Sequence, residues 1–159
     1  MTVSCTFELN RKETSRFVCS GFGAVEAYSG QRAGRDNPDN VADVDVGPIP
    51  PDTYYLIDRQ SGGRIGGLRD FIGEHFGSSD RHKWFTLWNP HGGDVTMIQG
   101  IRRGQFRLHP EGSRHLSQGC ITVKDLAGFE RLQRYIRRTS PTLPIPGTNM
   151  RAYGRVEVR

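Results

Sequence analysis

Residues 106–122 read FRLHPEGSRHLSQGCIT, and this stretch decides how the rest of the chain is interpreted. It places His109 at the end of a strand-like run and Cys120 eleven residues later, inside a tight Ser-x-Gly-Cys turn. A thiol becomes a good nucleophile as a thiolate, and a nearby imidazole is the usual means of forming one at neutral pH. Gly119 lets the main chain approach a substrate closely because it has no Cβ. The stretch therefore predicts a cysteine nucleophile on a turn, with His109 as its base.

The same residues also have a purely structural interpretation. A lone cysteine beside a glycine is often a small buried hydrophobic residue. A lone histidine after a strand is often a satisfied core or surface residue, and short motifs also match by chance. Residues 106–122 alone leave both interpretations open, so the choice depends on the rest of the chain.

Residues 106–122 resemble the catalytic motif of L,D-transpeptidases, in which a histidine precedes a Ser/Thr-His-Gly-Cys turn. Residues 46–57, VGPIPPDTYYLI, resemble the Thr-Pro-x-Gly-x-Tyr/Phe strand entry of the same family. The short gap before the cysteine, together with Ala-Tyr-Ser-Gly at 27–30, resembles one branch of that family. This branch is the type VI secretion L,D-transpeptidase effectors, which antagonise bacterial competitors. The resemblance covers residues 20–155, which is nearly the whole chain.

Two positions depart from the family motif. Gln118 stands where the family turn has a histidine, and Thr122 stands where general L,D-transpeptidases have an arginine. Glutamine cannot carry a proton at neutral pH, so the role of base falls on His109, with His115 as a second candidate on the connecting loop. The missing arginine leaves open how a substrate carboxylate is recognised.

The resemblance implies an enzyme that acts on the tetrapeptide stem of peptidoglycan at its L,D bond. Cys120 attacks the amide carbonyl after His109 takes its proton, and a thioester forms as the terminal D-amino acid leaves. Hydrolysis of the thioester makes the protein an L,D-carboxypeptidase, whereas attack by an amine makes it an L,D-transpeptidase. Ser117, Gln118 and Gly119 support the turn and the oxyanion. Further candidates for the substrate cleft are Arg107, Trp88, His91 and His115.

The resemblance also implies an immunity protein and a component of a secretion machinery as partners. The N-terminus shows no basic segment followed by an apolar one, so we expect synthesis in the cytoplasm without a signal peptide. Dedicated machinery would then deliver the protein to the periplasm of a target bacterium. No apolar run approaches the length of a membrane span, so membrane insertion is not expected. Neither a metal nor a cofactor is expected, because no His-x-x-x-His, Cys-x-x-Cys or Walker spacing occurs.

Composition and charge leave other functions open. The 159 residues carry a formal charge of +5 and a pI of about 9.4, and such a surface attracts polyanions. Arg131, Arg134 and Arg138 form a basic row on a predicted helix, but the interleaved aromatic residues of a single-strand binder are missing. We therefore expect no nucleic-acid partner. The rival functions are a different cysteine hydrolase or acyltransferase, a non-catalytic wall-binding module, and a basic nucleic-acid toxin.

We predict a mainly β (α+β) fold in a single catalytic domain over residues 1–159, an L,D-transpeptidase-like sandwich or barrel with one or two short helices. Twenty glycines and nine prolines favour short strands and loops over long helices. The predicted parts are an N-terminal hairpin over 1–25 with strands 3–10 and 16–25, a loop-rich segment over 29–50, strands over 52–58, 83–88, 95–98, 105–108 and 151–158, a catalytic strand and turn over 105–122, and helices over 68–76 and 125–138.

Cys5 and Cys19 lie in the two alternating runs of the predicted N-terminal hairpin. In this hairpin Phe7 faces Phe17 and Cys5 faces Cys19, but opposed Cβ atoms reach a disulfide only in some pairs. A disulfide and two reduced, buried cysteines therefore both remain open. Cys120 is the odd cysteine, as expected of a reactive thiol.

Overall fold

The computed structural model describes residues 1–58, 81–112 and 117–159, and their dominant feature is a sheet that closes on itself. The strands are β1 (Val3–Phe7), β2 (Ser15–Cys19), β3 (Gly23–Ser29), β4 (Asp52–Asp58), β5 (Phe85–Trp88), β6 (Val95–Ile98), β7 (Ile101–Gly104), β8 (Arg107–Pro110), β9 (Ile121–Val123), β10 (Leu143–Pro144), β11 (Arg151–Ala152) and β12 (Gly154–Val158). Helix α1 spans Leu126–Ile136, and short 3₁₀ turns span Arg32–Gly34, Pro38–Asn40 and Arg81–Lys83.

Eight of these strands form a closed barrel in the order β1-β12-β4-β5-β8-β9-β3-β2. Neighbouring strands are antiparallel except where β1 pairs with β12 and where β8 pairs with β9. The β6–β7 and β10–β11 pairs form separate two-stranded sheets. A barrel with one short α-helix in the described residues confirms the predicted mainly β fold class.

The interior of the barrel is filled by side chains that alternate inward along the strands. β2 and β12 show this most clearly, since buried and exposed residues alternate at every position. Helix α1 adds Phe129, Leu132 and Ile136 to the same apolar cluster and contacts β3, β8 and β9. Asp125 caps the helix, because its carboxylate accepts a hydrogen bond from the Gly128 N–H at 2.8 Å. The helix therefore holds the inward face of the strands that carry the candidate site.

The N-terminal hairpin has the register that the sequence indicates. Phe7 pairs with Phe17 and Cys5 pairs with Cys19, and the two cysteines form a disulfide. The disulfide joins residues 14 apart in the sequence. In the chain-entropy account, closing a loop of this length stabilises the folded state by about 3 kcal/mol. Cys120 is the free cysteine.

The second half of the predicted 1–25 hairpin is wrong in its bounds. The predicted strand over 16–25 is divided into β2, which ends at Cys19, and β3, which begins at Gly23. Gly21 has a φ of 80°, a value that favours glycine, and the Phe22 N–H donates to the Cys19 carbonyl at 3.1 Å. This turn reverses the chain, so that β3 runs antiparallel to β2 and pairs with β9 on its other side.

The segment over 100–104 was predicted to be a connection and is instead mostly strand β7. Gln99 has a φ of 51° and Gly100 a φ of 77°, and Ile98 pairs with Ile101 across them. Positive φ at both central residues is typical of a two-residue hairpin turn. Strand β8 begins at Arg107, two residues later than predicted. The hairpin of β6 and β7 brings Gly104, at the end of β7, beside Val95, at the start of β6.

Other predicted elements lie close to their expected positions. Strand β4 spans the predicted 52–58, and α1 lies within the predicted 125–138. The segment over 29–50 contains two 3₁₀ turns between its loops. The predicted helix over 68–76 lies outside the described residues. Within the described ranges, no helix is long and apolar enough to cross a membrane.

Candidate active site

The parallel pair β8–β9 brings the two predicted catalytic residues to one face of the sheet. Leu108 pairs with Ile121, and both belong to the core. His109 pairs with Thr122, and because side chains alternate along a strand these two point away from the core. Cys120 lies two residues before Thr122 and shares its face. His109 therefore lies on β8, and Cys120 directly precedes the adjacent strand β9.

His109 is held by a carbonyl and an aromatic ring. Its Nδ1 lies 2.7 Å from the Pro110 carbonyl, and since a carbonyl only accepts, Nδ1 carries the hydrogen and donates it. The indole of Trp84 stacks on the imidazole with a centroid distance of 4.6 Å. The neutral imidazole therefore has Nε2 as its basic nitrogen. A main-chain carbonyl orients His109, and Ser117 does not.

Two serine hydroxyls anchor the turn that carries Cys120. Ser117 Oγ donates to the Cys120 carbonyl at 2.7 Å and accepts from the Gly30 N–H at 3.1 Å. Ser29 Oγ donates to the Gly119 carbonyl at 3.3 Å and accepts from the Ile49 N–H at 2.8 Å. The turn is therefore fixed from both sides by side chains that reach only main-chain groups.

Gly119 is the position in this turn that only glycine fits. Its φ is 106°, which side chains rarely tolerate. A Cβ at this position would lie 2.6 Å from Nη2 of Arg103 and 2.9 Å from the ring of Phe106. Gly119 was predicted to let the main chain approach a substrate closely. The groups that lie close to it in the structure are the Arg103 guanidinium and the Phe106 ring.

Gln105 contributes a main-chain acceptor to the thiol. Its φ of 59° is uncommon for a residue with a side chain, and its N–H donates to the Asp94 carbonyl at 2.7 Å. The Gln105 carbonyl lies 3.9 Å from the Cys120 sulfur and accepts its S–H. A residue held in a sparsely populated conformation beside a nucleophile is the pattern expected at functional sites.

Arg107 is buried in an ion pair rather than exposed on an open cleft wall. Its Nη1 and Nη2 donate to the two carboxylate oxygens of Asp94 at 2.6 and 3.1 Å, and its side chain is 1 % exposed. Burial raises the pKa of Cys120, and the main-chain N–H of Arg107 acts in the opposite direction. Arg107 therefore acts on the thiol mainly through its backbone, while Asp94 offsets its charge.

The face around the pair holds polar groups without protein partners. The hydroxyls of Thr86 and Thr122 and Nε of Arg107 are buried and have no hydrogen-bond partner among the described residues. Thr86 pairs with Arg107, and Thr122 pairs with His109. Buried polar groups are usually hydrogen-bonded, so this face is suited to a polar ligand.

Burial keeps both members of the pair neutral at rest. Burial lowers the pKa of His109 to about 4, although its hydrogen bond to the Pro110 carbonyl acts in the opposite direction. Burial also raises the pKa of Cys120, against the lowering effects of the Arg107 N–H and the Arg107 and Arg103 charges. Both shifts favour the neutral thiol in the resting protein, whereas the sequence pattern alone favours a thiolate at neutral pH.

The remaining predicted site residues are spread more widely. Trp88 packs against the cluster of Tyr55, Ile57, Ile145 and Ala152 on the outer side of β4. His91 lies on an exposed turn, with Nε2 at 4.0 Å from the Asp52 carboxylate. Gln118 is half-buried in the turn, and His115 lies outside the described residues. No described contact joins Trp88 or His91 to the catalytic pair.

Several site residues were missed by sequence reasoning, namely Trp84, Asp94, Arg103, Gln105 and Ser29. The Gln99-Gly100 turn was the available signal, because a hairpin there predicts that Arg103 and Gln105 return towards residues 94–95. Ser29 and Trp84 reach the site through strand pairing, which the sequence pattern alone does not determine. Among residues 1–58, 81–112 and 117–159, no three His, Cys, Asp or Glu side chains gather as metal ligands.

A comparison with protein families identifies the class of protein. The model of the Tlde1 domain matches residues 23–148, a segment that contains both His109 and Cys120. The chain belongs to the Tlde1 domain family. The Tlde1 domain is a type VI secretion effector domain, so the predicted effector family is confirmed at this level. Among curated proteins and solved structures, no significant match to the chain was found.

The buried His109 gives the folded effector a specific pH dependence. Its pKa is about 4 in the folded protein against 6.5 for a free histidine, so the unfolded chain binds more protons between these values. The stability that depends on the neutral imidazole is complete above the unfolded pKa. It is lost as the pH falls towards 4, by up to about 3 kcal/mol.

His109→Gln removes this titration and so tests it. Between about pH 7 and pH 4, the advantage of the wild type over H109Q in free energy of unfolding should shrink by about 3 kcal/mol. Urea unfolding at a series of pH values measures it. The exposed His91 supplies the matched control, and H91Q should follow the wild type. A wild-type advantage that stays constant with pH would contradict the burial of a neutral His109.

Proposed function

We propose that this chain is an antibacterial effector that attacks peptidoglycan tetrapeptide stems through a thioester on Cys120. The observation that carries the proposal is the parallel pairing of β8, which carries His109, with β9, which begins directly after Cys120. Membership of a type VI secretion effector family supports the antibacterial role. The choice of stem peptides as substrate rests on the resemblance of residues 106–122 to the L,D-transpeptidase motif.

Acylation starts from the neutral pair. The Cys120 sulfur attacks the carbonyl carbon of the L,D amide bond while its proton passes to Nε2 of His109. The imidazolium that forms is oriented by the Nδ1 hydrogen bond to the Pro110 carbonyl. The C–N bond then breaks, the leaving amine takes the proton back from His109, and the terminal D-amino acid departs. The acyl group remains on Cys120 as a thioester.

The anchored turn provides the oxyanion site in this proposal. The main-chain N–H groups of Gly119 and Cys120 donate to the oxygen of the tetrahedral intermediate. Ser29 and Ser117 hold the carbonyls of these same two residues, so the turn does not have to reorganise during attack. One preorganised donor of this kind is typically worth about 3 kcal/mol in the transition state.

The second step decides the name of the reaction. Water that gives its proton to His109 and attacks the thioester releases a shortened stem, which is L,D-carboxypeptidase activity. The amine of a D-amino acid or of another stem restores an amide, which is exchange or L,D-transpeptidase activity. In both cases the Cys120 sulfur leaves as the thiol after His109 returns the proton.

The place of action follows from the family and from the disulfide. A type VI effector is delivered into target cells, and we propose that this one acts in their periplasm, where the wall lies. The Cys5–Cys19 disulfide suits an oxidising compartment such as the periplasm. The partners that this role requires are an immunity protein in the producing cell and a component of the secretion machinery.

Digestion of purified tetrapeptide muropeptides tests the proposed chemistry. Wild-type protein should shorten the stems or exchange their terminal D-amino acid, with the products identified by mass. Cys120→Ala should abolish this turnover because it removes the nucleophile, while circular dichroism shows an unchanged fold. Turnover that survives C120A would contradict the mechanism. Wall binding without any turnover by the wild type would indicate a non-catalytic binding module instead.

Expression in two compartments of a bacterium tests the place of action. Fusion of a secretory signal should make the protein toxic, and the same chain kept in the cytosol should be harmless because the wall is out of its reach. Cys120→Ala and His109→Gln should each remove the toxicity of the secreted form. Equal toxicity from the cytosolic form, with or without Cys120, would favour the nucleic-acid toxin with Arg131, Arg134 and Arg138 as its surface.

A further inference from the structure

Arg103 on β7 is a buried guanidinium that has only uncharged hydrogen-bond partners. It is 3 % exposed. Its Nη1 donates to the Val41 carbonyl and its Nη2 donates to the Gly47 carbonyl at 3.1 Å. None of the ion pairs formed within the described ranges includes Arg103. A buried charge without a counter-charge is costly, so its retention needs an explanation.

The guanidinium lies directly against the turn of the nucleophile. Nη2 of Arg103 is 2.6 Å from the position that a Cβ on Gly119 would take, and Gly119 precedes Cys120. A side chain on residue 119 would therefore displace the guanidinium. The left-handed conformation of Gly119 and the missing Cβ together allow the cation to approach the Cys120 main chain.

Two other charged groups, Arg107 and Asp94, also act on Cys120. Arg107 and Asp94 act on the sulfur with opposite signs, and they are joined to each other by two hydrogen bonds. His109 is neutral at rest because burial holds its pKa low. Arg103 is also a positive charge near the sulfur. No described carboxylate lies within ion-pair distance of its guanidinium. Asp43, Asp45 and Tyr54 act on Arg103 only through longer-range electrostatics.

We propose that Arg103 is the positioning residue whose charge stabilises the thiolate of Cys120 while the proton moves to His109. This inference rests on the proposed function, because it assumes that Cys120 is the nucleophile. Arginine stays protonated at every accessible pH, so Arg103 supplies charge and takes no proton. His109 supplies the proton acceptor and carries no charge at rest. A single histidine partner usually both accepts the thiol proton and supplies the positive charge. Here His109 accepts the proton and Arg103 supplies the charge.

The competing explanation is that Arg103 only ties the 41–47 loop to β7. Its two carbonyl bonds serve this purpose whatever its charge does. Substitutions separate the two roles. Arg103→Gln keeps an amide donor for a carbonyl and removes the charge. Arg103→Lys keeps the charge and loses the planar fork that reaches both carbonyls.

Alkylation of Cys120 by iodoacetamide at pH 8 distinguishes these roles without any wall substrate. The reagent is uncharged, and the disulfide-bonded Cys5 and Cys19 do not react. An opposite charge close to a titrating group typically shifts its pKa by about 1 to 3, so R103Q should alkylate about ten-fold or more slowly than the wild type. R103K should stay within about three-fold of it, because the charge is retained.

The exposed neighbour Arg102 supplies the matched control, and R102Q should alkylate like the wild type. Thermal unfolding of each variant shows whether it is folded. If R103Q does not fold, R103K decides alone: a rate near that of the wild type supports the charge, and a large loss supports the loop tie. Equal rates for folded R103Q and wild type would overturn the inference. Muropeptide turnover that depends on Cys120 would still stand in that case, so the two proposals fail separately.

Discussion

The parallel pairing of β8 with β9 is the constraint on which the rest of the site depends. Its register places Leu108 beside Ile121 in the core, and this fixes His109 and Cys120 on the opposite face. A slip of one residue in β9 would turn Cys120 towards the core and Ile121 outwards, because side chains alternate with a period of two. The apolar contacts of the barrel and helix α1 therefore determine the geometry of the polar site. The burial of a few inward side chains holds the nucleophile in place.

The same burial that fixes the pair also keeps it uncharged. A neutral thiol is less prone to oxidation than a thiolate, and the described residues contain one free cysteine, Cys120, beside the Cys5–Cys19 disulfide. In the proposed mechanism, ionisation occurs together with substrate attack, where the Arg103 charge and the basic nitrogen of His109 act on Cys120. In this proposal the resting pair is neutral, and charge develops on Cys120 and His109 only during attack on the substrate.

The sequence was most informative where local chemistry decides the structure. The Ser-x-Gly-Cys turn, the register of Cys5 with Cys19 and the cap at Asp125 all follow from residues close in sequence. The contribution of Ser29 could not be predicted, because it comes from strand pairing, and the partners of Arg103 are main-chain carbonyls of the distant 41–47 loop. The ionisation state was also missed, since burial of His109 is a property of the assembled barrel. Trp88 and His91 were chosen for residue type, and the fold directs them elsewhere.

The central claim is that Cys120 carries an acyl group during turnover. Rapid acid quenching of the wild-type protein mixed with tetrapeptide muropeptide, followed by mass spectrometry of its peptides, measures this directly. The account predicts an adduct on the Cys120 peptide that equals the donor without its terminal D-amino acid. The adduct should be released by hydroxylamine, as a thioester is. Shortened stems accumulating while Cys120 remains unmodified at every quench time would contradict the account.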